Sequence, residues 1–207
     1  MRVLNDNKYR AILKAARKEF SNRGFKNASM RSIAARADVG LSNIYNYFTS
    51  KDELYLAVVK PVRDELFTFI SEQHTEEHIS VNPTLTFGHN EDAVEQYIDL
   101  IDRYREEVRM LLYQSEGSSM GNFRNDLIDY LDRISNSYMN LEKKYHTEYQ
   151  TLSAFFVHTL SAWMVNVVGE IVTHNLEKYK IREFFKEYFR FQLAGWCELT
   201  VGTKKGG

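Results

Sequence analysis

The chain is short of the residues that interrupt or cross-link a fold: 207 residues hold two prolines, ten glycines and one cysteine. A lone Cys197 excludes an internal disulfide framework. No charged-then-apolar leader follows Met1, and together these features lead us to expect a cytoplasmic location. Long uncharged apolar runs are missing too. The most apolar stretch, Leu152 to Thr173, contains His158, Asn166 and Glu170, which are costly at the centre of a bilayer, so a buried helix is expected there and no membrane partner. What remains is long stretches rich in Leu, Ala, Glu, Lys and Arg with apolar residues three and four apart. The expected fold class is all-α.

The net charge of −1 hides a division along the chain. Residues 1–51 carry eleven Lys or Arg against three Asp or Glu, a balance of +8, whereas residues 52–207 carry sixteen against twenty-five, a balance of −9. A basic head on an acidic body points to a polyanionic partner for the head, and nucleic acid is the first to consider.

Tyr9, Ile12, Leu13, Ala16 and Phe20 repeat at helical spacing, and Arg23-Gly24 ends that helix through a left-handed glycine. Ser29 caps a second helix running to Arg36, Asp38-Val39-Gly40 forms a turn, and Leu41 to Phe48 reads as a third helix barely two turns long. Ser50-Lys51-Asp52-Glu53 is a capping box opening a fourth helix towards residue 73, with Pro61 expected to kink it. Residues 74–90 read as a loop. A long amphipathic helix follows from Val94 to Leu112, then a break at Ser115 to Asn122 and a helix with a narrow seam through Leu127, Leu131, Ile134, Tyr138 and Leu141. The last two helices, 149–174 and 179–199, are apolar on more than one face, which a second subunit would cover. The Lys204-Lys205-Gly206-Gly207 tail reads as disordered.

Two short helices around a glycine-containing turn, the second small enough for a major groove about 12 Å wide, make a helix-turn-helix. Its residues carry a family resemblance. Ala11-Ile12-Leu13, Phe20, Arg23-Gly24-Phe25, Ser29-Met30-Arg31-Ser32-Ile33-Ala34, Val39 and Ile44-Tyr45-Asn46-Tyr47-Phe48-Thr49-Ser50-Lys51-Asp52-Glu53-Leu54 resemble the tetracycline-repressor (TetR) family over residues 9 to 58. The resemblance implies a helix-turn-helix domain at 1–50 and an effector-binding and dimerisation domain at 51–207. It places the recognition helix on Leu41, Ser42, Asn43, Tyr45, Asn46 and Tyr47, and phosphate contacts at Ser29, Arg31 and Lys51. The side-chain chemistry suits DNA contact, since Asn43 and Asn46 can pair with an adenine edge, hydroxyls reach phosphates, and Leu41 can touch a thymine methyl. Gly40 stands where the family usually has Ser or Thr, so the recognition helix lacks a side-chain cap. The implied function is that of a transcriptional regulator acting as a repressor. A homodimer would grip a palindromic operator, with half-sites about 34–36 Å apart, and a small apolar or aromatic effector would release it.

Weaker signals have plainer explanations. Gly117-Ser118-Ser119-Met120-Gly121 fits a nucleophile elbow, but no strand pattern precedes it, so no enzyme is expected and Ser119 reads as part of an interhelical break. His74 and His78 lie four apart beside Glu76 and Glu77, yet no third metal ligand is evident, and neither a metal nor a cofactor is expected. From the 13 Phe, 13 Tyr and two Trp, Phe67, Tyr113, Phe156, His158 and Trp163 are the pocket candidates. Phe155, Phe185, Phe189, Leu193 and Trp196 are the candidate dimer interface. A body that binds a protein partner, with a filled core and an exposed apolar patch, is the competing reading.

Overall fold

The computed structural model describes residues 6–72 and 91–201, and these residues are all α. The expectations for the 74–90 loop, for His74 and His78 and for the Lys204 to Gly207 tail lie outside the described residues. Nine helices are seen among those residues: α1 Asp6–Asn27, α2 Met30–Arg36, α3 Leu41–Tyr45, α4 Lys51–Glu72, α5 Glu91–Arg103, α6 Arg105–Tyr113, α7 Phe123–Tyr145, α8 Ala154–Thr173 and α9 Lys178–Thr200. The chain forms two compact units. The first takes residues up to Glu65 together with Tyr104–Asn125, and the second takes Leu66–Arg103 together with the residues from Asp126 onward. The unit that carries the helix-turn-helix is therefore larger than the expected 1–50 segment.

In the first unit Ile12, Ala16 and Phe20 of α1 are buried, as are Ile33, Ile44, Leu54 and Tyr55, while Tyr9 at the start of the same stripe stays partly exposed. Phe20 and Phe25 both pack edge-on against Tyr55, at 5.0 and 5.2 Å between ring centroids. The regular part of α1 ends at Gly24, whose φ of 69° and ψ of 165° suit glycine and turn the chain so that the Phe25 N–H donates to the Gln114 carbonyl at 2.8 Å. The Tyr55 hydroxyl donates to the Met110 carbonyl at 3.1 Å, which satisfies it in the core; burial pushes its pKa well above the ordinary tyrosine value.

In the second unit α5 lays Tyr97, Ile98 and Ile101 on α9, where Ile181, Phe185 and Phe189 are buried. Phe69 stacks on Tyr97 at 5.5 Å, Tyr97 meets Phe185 at 5.6 Å, and Phe185 stacks on Phe189 at 5.2 Å. The rim of this contact is charged: Arg182 grips Glu95 with both Nε and Nη2, and Lys178 pairs with Asp99. Helix α8 is long and apolar enough to cross a membrane by length and composition. Its apolar residues are divided between a buried set that includes Val157, Val165, Ile171 and Val172 and an exposed strip at Phe155, Phe156 and Trp163.

Three element boundaries differ from expectation. The third helix stops at Tyr45 rather than Phe48, because Asn46 to Phe48 close in a turn in which the Tyr47 and Phe48 N–H groups share the Ile44 carbonyl. The long helix expected through Leu112 breaks at Tyr104 (φ −110°, ψ 24°), where the chain passes from the second unit to the first. A break of one residue leaves the apolar spacing intact on both sides, so periodicity could not reveal it. The eighth helix begins at Ala154, not 149, because the Gln150 N–H donates to the Thr200 carbonyl at 2.7 Å and Ser153 supplies the cap.

Candidate nucleic-acid interface

The Ser29 backbone is extended, and its Oγ accepts the Ser32 N–H at 3.4 Å, so α2 starts where a serine cap was expected. Asp38 takes a left-handed φ of 52°, and the Val39 N–H returns to the Ala34 carbonyl at 3.0 Å, closing the turn. Gly40 then opens α3 without a side-chain cap. Burial of Ile33, Ala34, Ile44 and Phe48 fixes which faces of α2 and α3 point inward. Ser42, Tyr45 and Asn46 are consequently exposed, Tyr45 by 49%, as is Arg31, while Ser29, Leu41, Asn43 and Tyr47 lie at the less exposed edges of that surface. The Asn46 amide donates to the Asn43 side-chain carbonyl at 3.4 Å, holding the two amides side by side. Tyr9 steadies this end of the domain, stacking on Phe48 at 5.5 Å and meeting Tyr47 at 6.1 Å.

Lys51 is placed otherwise than expected. Its ammonium donates to three backbone carbonyls, Phe25 at 2.8 Å, Ala28 at 3.2 Å and Lys26 at 3.3 Å, and sits 4.5 Å from the centre of the Phe25 ring. All three donors of a lysine are then spoken for, and the side chain caps the end of α1 instead of reaching towards a phosphate. The capping box also shifts by one residue: Ser50 Oγ accepts the Glu53 N–H at 3.0 Å, but the Glu53 carboxylate accepts from the Thr49 hydroxyl and N–H, which holds its pKa below the usual value.

Glu19 is the residue that sequence reading missed. It is 2% exposed, accepts the Ser29 N–H at 3.2 Å, and lies 3.5 Å from Arg23 and 3.8 Å from Arg36. One buried carboxylate thus fixes the α1–α2 corner and orients two arginines of the basic head. The signal was legible: a glutamate occupies the inward register of Ile12, Ala16 and Phe20, where an apolar residue is expected.

The same segment is shared with known proteins. Residues 12–58 match the family described as bacterial regulatory proteins, tetR family. That segment is a helix-turn-helix domain of the TetR type. An uncharacterised HTH-type transcriptional regulator of Bacillus subtilis, YhgD, is 35% identical over 80 residues, which are 38% of each chain. The HTH-type transcriptional regulator RutR of Escherichia coli is 42% identical over 57 residues, 28% of this chain and 27% of the relative. The match to these curated relatives thus spans well under half their length. A TetR-like regulator from Rhodococcus sp. RHA1 shares the fold over 94% of this chain and 100% of its own, with a TM-score of 0.65 at 20% identity. FadR of Bacillus subtilis, solved with stearoyl-CoA, does so over 90% and 98%, with a TM-score of 0.64 at 14% identity.

Within the first unit this TetR-type domain is tied to α6 and the residue that follows it. Arg17 pairs with Glu107, Arg109 donates to Ser21 Oγ at 3.0 Å, and Gln114 donates to the Ser21 carbonyl at 3.2 Å. The Gly117–Gly121 loop lies between α6 and α7, and the Ser119 N–H donates to Asp52 at 2.8 Å. Among the described residues no strand leads into it, so the strand-to-helix turn of a nucleophile elbow is lacking. TetR-family regulators act by binding DNA rather than by catalysis.

The candidates in the body are dispersed. Phe67 packs edge-on against Tyr130 at 4.7 Å, Tyr113 is an exposed residue of the first unit, and Phe156 and Trp163 are exposed on α8. His158 Nδ1 shares a hydrogen bond with Asp132 Oδ2 at 2.8 Å. Among the interface candidates, Phe185 has no exposed surface and Phe189 is buried, so both are corrected to core. Trp196 and Leu193 are half-buried, Trp196 packing on the Met139, Tyr149 and Val157 cluster. Phe155 is 77% exposed, and α9 presents Phe191, 69% exposed, and Leu199 instead of the Phe185 stripe.

Proposed function

We propose that the protein is a one-component transcriptional regulator, acting in the cytoplasm as a repressor, that grips a palindromic operator as a homodimer and lets go when a small-molecule effector binds its body. The observation that carries this reading is the amphipathic division of α3 and the turn after it: Ile44 and Phe48 are buried while Tyr45 and Asn46 project outward from a segment with eight excess positive charges. In this reading Leu41, Ser42, Asn43, Tyr45, Asn46 and Tyr47 meet base edges and the adjoining backbone, and Ser29 and Arg31 meet phosphates. Lys51 and Glu19 act indirectly by holding the corner from which the helix projects.

The exposed strip of Phe155, Phe156 and Trp163 on α8, with Phe191 and Leu199 on α9, supports dimerisation through these two helices. The bonds from Glu107, Arg109 and Gln114 to Arg17, Ser21 and Phe25 supply a mechanical route by which a displaced α6 would shift the recognition helix. For release, the effector must bind the two states with different affinities. The stearoyl-CoA complex of FadR is a precedent for a small molecule on this fold.

The test is a mobility-shift titration with inverted-repeat duplexes. Tyr45→Ala and Arg31→Ala are each expected to weaken binding by about 1–3 kcal/mol, about 5- to 150-fold, with the dimer intact. Arg31→Ala should also reduce the slope of log affinity against log salt by about one. Retention of full affinity by both variants would remove the recognition surface assigned here.

A further inference from the structure

Asn43 and Asn46 lie one turn apart, and the Asn46 Nδ2 donates to Asn43 Oδ1 at 3.4 Å. The two are not equivalent. Asn43 is half-buried, and its Nδ2 lies 3.9 Å from the place a Cβ on Gly40 would take, so its amide is turned back along the start of α3. Asn46, the C-cap of the helix, is exposed. Its bond to Asn43 uses one of its two amide hydrogens and leaves the other open, together with the lone pairs of Oδ1. An amide–amide bond at an exposed site adds little stability, because water competes for both partners. It does restrict the torsions of Asn46, which would otherwise have to be ordered when that side chain meets a partner. The amide so held presents a donor beside an acceptor. In the major groove adenine alone offers the complement on one base, an N7 acceptor beside an N6 amino donor. Guanine presents two acceptors there, and the edges of cytosine and thymine carry one hydrogen-bonding group each. Phosphate oxygens only accept, so they would leave Oδ1 unanswered.

We propose that Asn46 reads an adenine in each operator half-site, bonding N7 through Nδ2 and the N6 amino group through Oδ1, and that Asn43 is a positioning residue that holds the Asn46 amide for this contact. Burial of Ile44 and Phe48, two residues to either side of Asn46, fixes the backbone from which it projects. In a two-fold symmetric dimer the same contact recurs once in each half-site. This assignment names the base chemistry of the recognition surface proposed above and rests on that reading.

The experiment starts with the full-length protein selecting tight-binding duplexes from a random pool. Each adenine of the selected half-site is then replaced in turn by 7-deazaadenine, which keeps Watson–Crick pairing and removes N7. Mobility shifts at low salt, where phosphate contacts keep weakened complexes measurable, give the affinities. At one adenine per half-site the replacement is expected to weaken wild-type binding at least about tenfold. For Asn46→Ala the same replacement should change affinity by less than about twofold, with every base accepted at that position. Asn43→Ala should keep the preference for adenine but reduce the penalty to about threefold, which a merely structural residue would not do. Both variants should keep the helical circular dichroism and melting temperature of the wild type. A selected half-site without adenine, wild-type tolerance of 7-deazaadenine at every position, or a penalty undiminished in Asn46→Ala overturns the proposal. So does a preference lost in Asn43→Ala and kept in Asn46→Ala. An enriched operator that lacks this adenine dependence sinks only the assignment to Asn46, whereas a pool from which no duplex is enriched sinks the regulator reading itself.

Discussion

Replacing Lys51 with methionine is expected to lower the stability of the N-terminal unit by about 2–3 kcal/mol while leaving the salt slope of operator binding unchanged. The ammonium satisfies the carbonyls of Phe25, Lys26 and Ala28, at the point where α1 gives way to α2. Methionine keeps the length of the stem and its packing on Phe25 but returns those acceptors to incomplete satisfaction. Had Lys51 bound a phosphate, its loss would release one counterion fewer on association, and the slope would fall by about one. Denaturant unfolding and a salt titration of binding, run on one preparation, distinguish the two roles. Unchanged stability with a reduced slope would restore Lys51 to the DNA surface.

Phe185→Ala is expected to cost about 3–5 kcal/mol and to leave little folded protein at physiological temperature. The ring stacks on Phe189, contacts Tyr97, Phe184 and Tyr188, and has no exposed surface, so its removal opens a cavity where α5 meets α9. Phe191→Ser, on the outward side of the same helix, should act differently. Its ring is 69% exposed within the chain, and its replacement should shift the proposed dimer towards monomer in sedimentation equilibrium with helical circular dichroism retained. If Phe185→Ala remained as stable as the wild type and only the association weakened, the inward and outward faces of α9 would have to be exchanged.

The contrast between these two phenylalanines marks where sequence reading reaches its limit. Helix α9 has apolar residues at both registers, Phe185 and Phe189 in one and Phe184 and Phe191 in another, and periodicity says only that two surfaces exist. Which is core depends on where α5 lies, a contact between residues far apart in the chain. The pocket candidates meet the same limit. Residue type and helical position single out Phe67, Tyr113, Phe156, His158 and Trp163, and neither property reports which neighbour each ring meets.

The head of the molecule is far more legible. Tight turns, caps and a short recognition helix are local devices: Gly24 at positive φ, the Ser29 cap, the Asp38 turn and the capless Gly40 stand where their residue types require. Composition determined the all-α class, and the uneven distribution of charge determined which end suits a polyanion. Tertiary structure alone decided the break at Tyr104 and the diversion of Lys51 from phosphate to carbonyls. Local backbone preferences act over a few residues and are written in them, whereas the burial of a side chain is a property of whatever the rest of the chain brings against it.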